Sequence, residues 1–121
     1  MANPNIVGVT DIKGKTLPLA VTTSAQAIVS NASASNKVYK VNKIWFANID
    51  GVNPASVTLN YYTAAALGGT ATALISAVVV PALSTLIFDG PMYLEEDKSL
   101  GVLASASGDI VATATWEEIT S

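Results

Sequence analysis

Apolar and polar residues alternate with a period of two along most of this chain, the signature of strands with one buried face. The last segment shows it best. Ile110, Ala112, Ala114 and Trp116 fall on one side, and Val111, Thr113, Thr115 and Glu117 on the other. Upstream, Leu100, Val102 and Ala104 alternate in the same way, and Ser107-Gly108-Asp109 is a turn signal. The two runs are therefore predicted to form a β-hairpin. The run over 38–49 is too long for one clean alternation, because Val41 and Ile44 are both apolar but three apart. A bulge near Asn42-Lys43 reconciles them and returns Ile44 and Phe46 to one face.

The rest of the chain follows the same rule less cleanly. Asp50-Gly51 opens a loop that runs through Asn53-Pro54, and a strand over 56–62 places Val57, Leu59 and Tyr61 on one face. The stretch 63–70 holds three alanines and then Gly68-Gly69, which would end a helical turn at once, so a loop is predicted. A strand over 71–80 is apolar on both faces near its end, and Pro81 stops it or puts it at an edge. Short strands over 83–89 and 92–94 flank a turn at Gly90-Pro91, and Glu95-Glu96-Asp97 reads as a solvated turn. Weaker strands over 15–21 and 25–30 precede a polar loop over 31–36. About eight short strands with regular turns predict one all-β antiparallel β-sandwich, jelly-roll or Ig-like, over 13–121. Residues 1–12 have little core-forming content and read as an N-terminal arm.

Composition then narrows the function. The chain has no histidine, no cysteine and no arginine; its six basic residues are all lysines. Histidine does most general acid/base work near neutral pH and ligates most metals, and cysteine supplies thiolates. Arginine is the preferred fork for phosphates and carboxylates. Catalysis is correspondingly disfavoured, and no cofactor is implied. Charged residues are only 12% of a chain that is 50% hydrophobic, so part of the surface is expected to face a partner rather than water. A net charge of −3 argues against nucleic acid. The one basic cluster, Lys37, Lys40 and Lys43, reads as solubilising charge near a strand edge. No apolar run is long enough to span a bilayer. The N-terminus lacks the pattern of a signal peptide, so synthesis in the cytoplasm is expected.

Few side chains offer chemistry. The carboxylate groups Glu95-Glu96-Asp97 and Glu117-Glu118 contain the pairs that glycoside hydrolysis uses, but no sugar-stacking aromatics lie beside them, and exposed turns explain them as well. Calcium would need several oxygens from one loop; Asp89 with Glu95, Glu96 and Asp97, or Asp50 with Asn53, lack the alternating spacing. A serine nucleophile would need a lysine base, and no Ser-x-x-Lys exists. The aromatics are more useful. Trp116 and Tyr61 fall on the core side, whereas Trp45 and Tyr62 fall on the outward side of their strands. Those two are the expected partner contacts, unless a loop or second sheet covers them.

Finally, the order of several short motifs resembles small structural proteins of tailed bacteriophages, particularly marine and cyanobacterial ones. The stretches 43–58, 80–94 and 99–119 carry it: the loop Asn48-Ile49-Asp50-Gly51, the run VPALSTL, the run LEEDKSL, then Ser107-Gly108-Asp109 and Glu117-Glu118-Ile119. The resemblance implies a non-enzymatic virion component, made in the host cytoplasm, with a β-sandwich fold and no catalytic residues. It implies a homo-oligomer, a trimer above all, bound to the major capsid protein or other virion proteins, with no nucleic acid or membrane partner. A capsid decoration or cement protein is the leading expectation. A tail, neck or fibre-associated protein and a carbohydrate-binding module using Trp45 are the alternatives.

Overall fold

The computed structural model describes residues 8–120. Eight strands make up the chain: β1 (Asp11–Ala20), β2 (Gln26–Asn31), β3 (Lys37–Asn48), β4 (Ala55–Ala64), β5 (Gly68–Val80), β6 (Thr85–Leu94), β7 (Lys98–Ala104) and β8 (Ile110–Thr120). They form two antiparallel four-stranded sheets in the orders β1-β8-β3-β6 and β2-β7-β4-β5. Nearly every connection crosses from one sheet to the other; β4 and β5 alone are consecutive strands paired side by side. This winding is a jelly roll and not an Ig-like sandwich, where hairpins stay within a sheet.

The inner faces meet in one core. Val41, Ile44, Phe46, Leu94, Ile110, Ala112, Ala114 and Trp116 come from the first sheet, and Val29, Val57, Leu59, Leu100 and Val102 from the second. The alternation of β8 is as expected, and the β3 register shifts between Val41 and Lys43 against both neighbours. At the corners two buried asparagines fasten backbone across the sandwich. Asn31, ending β2, donates through Nδ2 to Lys37 O at 2.9 Å and Leu94 O at 3.0 Å. Asn48, ending β3, donates to Asn53 O and Val80 O, both at 3.0 Å.

Five expectations are corrected. First, β7 and β8 are not a hairpin. They lie in different sheets, and residues 105–109 bridge them, with Ser105 N–H donating to Ser56 O and Gly108 N–H to Val21 O. Alternation marks a buried face but does not say which sheet owns it. Second, Gly90-Pro91 does not turn the chain; β6 continues through it, with its register against β3 shifted there. As an edge strand β6 can lack one N–H, and a Cβ at residue 90 would lie 2.5 Å from Val41 O. Third, the loop expected over 63–70 shrinks to residues 65–67, because Ser99 Oγ accepts from Leu67 N–H and Asp97 Oδ1 from Ala65 N–H. Fourth, Glu96 is buried rather than solvated, and its Oε2 accepts from Asn36 N–H at 2.8 Å. Fifth, the lysine cluster sits on β3, an interior strand, not at an edge. The arm expected over 1–12 falls largely outside the described residues; Asp11 and Ile12 are the first rungs of β1, opposite Thr120 and Ile119.

Candidate functional site

Trp45 stands on β3, one residue from Ile44 and Phe46, which both point into the core. Strand geometry therefore turns Trp45 to the outer face of the first sheet, where it is half-buried. Its cross-strand partners are Thr113 on β8 and Ile87 on β6. Extending that rung to β1 adds Pro18 opposite Thr113. The next rung toward the end of β3 reads Ala20, Val111, Ala47 and Thr85. The rung on the other side reads Thr16, Thr115, Lys43 and Asp89. Two consecutive rungs across four strands thus contain no charge, with the indole of Trp45 and the exposed Ile87 as their large apolar groups. Ile87 was missed in the sequence reading. The signal was there, since Leu86-Ile87-Phe88 is apolar on both faces of a strand.

Tyr62 is also turned away from the core, on the outer face of the second sheet, but it is buried. A Cβ built on Gly101 would lie 2.7 Å from Tyr62 Cε1 and 2.6 Å from Leu67 Cδ2. The ring therefore lies over the bare backbone of Gly101, beside Leu67 from the 65–67 turn. Its expected exposure is corrected, because the chain supplies its own cover. Trp45 and Tyr62 lie on different sheets and form no joint surface.

The carboxylates are scattered and mostly spent on structure. Asp50 Oδ1 accepts from Val52 N–H at 2.8 Å and Asn53 N–H at 3.1 Å. Those backbone bonds, with the Asn53 side chain, hold the Asp50 carboxyl below its ordinary value. Glu117 pairs with Lys40 at 3.8 Å, and Glu118 with Lys37 at 3.3 Å. Glu118 also accepts from Trp116 Nε1–H at 3.3 Å. Tyr39 stacks on Trp116 with ring centroids 6.4 Å apart. Burial first, and then the Glu118 carboxylate, push the Tyr39 phenol above its usual value. Among the described residues, no three acidic side chains gather as a metal site would require.

No protein-family model matches the chain, and no curated protein does. Several solved structures share the fold, among them these two. One is from Bacillus endospore appendages, described as a novel family of disulfide-linked pili; it is 19% identical, with a TM-score of 0.54, over 99% of this chain and 94% of that one. The other belongs to the T13 IBDV viral particle; it is 8% identical, with a TM-score of 0.53, over 90% of this chain but 31% of that one. The chain thus has a small all-β fold that resembles those of viral and pilus structural proteins.

Proposed function

We propose that this chain is a non-catalytic structural subunit of a virion, most specifically a capsid decoration or cement protein that docks through the outer face of its first sheet. The observation that carries this reading is the pair of uncharged rungs centred on Trp45 and Ile87. A sheet face with an aromatic residue and a hydroxyl-rich surround suits packing against another protein surface. Binding only to the assembled shell would stabilise that shell by mass action. Two features fit this use. Most of the carboxylates serve local structure: Glu117 and Glu118 pair with Lys40 and Lys37, and Glu96 Oε2 accepts from Asn36 N–H. The charge content is low for an exterior that touches only water. The fold is one that repeating assemblies employ, in a viral particle and in pili. The disulfide link of the endospore appendages is closed to this chain, which has no cysteine.

The test is binding of purified protein to particles stripped of it. Trp45→Ala combined with Ile87→Ala is expected to weaken binding about tenfold or more, while the unfolding temperature of the free protein changes little. Unaltered binding would remove this face from the account. Binding of the same face to a glycan array, lost in Trp45→Ala, would favour a carbohydrate-binding module instead.

A further inference from the structure

The strands of this jelly roll run between two unlike ends. Loops over 21–25, 49–54, 81–84 and 105–109 gather at one, and those over 32–36, 65–67 and 95–97 at the other. Hydrogen bonds tie the first group into one surface. Asn48 Nδ2 reaches both Asn53 O and Val80 O, Asn48 N–H donates to Ser84 O at 2.8 Å, and Ile49 N–H donates to Asp109 O at 2.8 Å. Three large aliphatic side chains stand out of these loops, Val52 81% exposed, Leu83 73% and Ile49 59%, and Val79, 61% exposed, lies next to the end of β5 beside them.

Leu83 adds a second observation. It sits in the 81–84 turn at φ 59°, in the left-handed region. Glycine or asparagine suits that conformation and leucine does not. The turn thus holds a bulky apolar group out in solvent at a position where a polar turn residue would be more stable. Charge is the third. Of the chain's fifteen charged side chains, Asp50 and Asp109 are the two at this end, and the Asp50 carboxylate is engaged by its own loop amides. Lys43 and Asp89 face each other near the middle of the first sheet. The far end carries Lys37, Glu95, Glu96, Asp97, Lys98 and Glu118.

We propose that this tip is a self-association surface, at which copies of this chain converge tip to tip and leave their charged ends in water. The charge layout selects this occupant. A head-to-tail contact would press the aliphatic tip against Lys98, Glu95 and their neighbours and strip their hydration. Tip-to-tip contact meets an identical, nearly uncharged surface, and every far-end charge stays hydrated, in a closed arrangement. A lipid surface fits less well, because the lysines that would meet anionic headgroups lie away from the tip. The inference rests on the reading of the chain as an assembly subunit, but it uses a surface separate from Trp45.

Multi-angle light scattering over a dilution series of the full chain tests it. Wild-type protein is expected to form a closed oligomer that dissociates on dilution. Val52→Asn with Leu83→Asn is expected to weaken association about tenfold or more, with the unfolding temperature kept or raised because asparagine suits the backbone at 83. Trp45→Ala with Ile87→Ala should leave self-association intact while lowering particle binding, so the two surfaces fail separately. A wild-type monomer across the whole series would overturn the proposal. So would a double variant that associates like wild type, or an oligomer broken by Glu95→Gln with Lys98→Gln. A wild-type monomer that instead binds neutral phosphatidylcholine vesicles through Val52 and Leu83 would overturn it in favour of lipid.

Discussion

Asn48 is buried at the last position of β3, and its amide group makes three hydrogen bonds: two donated to Asn53 O and Val80 O, and one accepted from Asp50 N–H. Removing the side chain leaves buried carbonyls without partners, so Asn48→Ala is expected to lower stability by about 2–3 kcal/mol, read from urea denaturation. Asn31→Ala should cost a similar amount, since Asn31 donates to two carbonyls and accepts from Ser35 Oγ. Neither role was visible in the sequence. Asn31 opened what read as a polar loop, and nothing local reports a carbonyl from β6, over sixty residues away. Asp50 gives a pH prediction. Its folded carboxyl titrates below its unfolded value because amides bond the charged form. Its contribution is therefore complete above the ordinary aspartate value of about 4 and is lost as pH falls through the lower folded value. NMR of the Asp50 carboxyl should show titration below that of a free aspartate, and Asp50→Asn should flatten the acid limb of the stability curve.

At the level of single elements, bulges and backbone contacts were partly legible. The β3 bulge was written in the spacing of Val41 and Ile44. The β5 bulge was not. There the register shifts where Thr58 sits opposite a longer stretch of β5, and Ala77 takes up a left-handed φ of 47°, donating its N–H to Thr58 Oγ1 at 3.1 Å. Ile75 precedes it and Val78, Val79 and Val80 follow, a run apolar on both faces, so no break in apolar spacing reveals the extra length. Because alanine is strained there, Ala77→Gly is expected to stabilise the fold by about 1 kcal/mol, measured as a shift in the denaturation midpoint. Gly101 of β7 works by omission. Gly101→Ala would drive a methyl into Leu67 and the Tyr62 ring, and the expected loss is about 1–3 kcal/mol, with faster hydrogen exchange in the 65–67 turn as the structural readout. Tyr62 was misread as exposed for this reason: period two gave its face correctly but not the turn that folds over it.

For the whole molecule, strand count and sandwich class came directly from alternation, whereas the jelly-roll winding did not. β7, with Ser99, Leu100, Gly101 and Val102 all buried, is interior to a sheet, and the exposed β1 and β5 are edges. That difference becomes readable only once the pairing is known. The uncharged rungs around Trp45 have the same status. Each residue was visible, but Pro18, Thr113, Trp45 and Ile87 come together only through pairings that span most of the chain. The central claim is that these side chains adhere rather than react. Its most direct test is quantitative mass spectrometry of density-banded particles from the host that carries the gene. The protein is expected in many copies per particle, at a fixed ratio to the major shell protein that survives washing. Its absence from the particle band, with all of it recovered as free protein, would contradict the account.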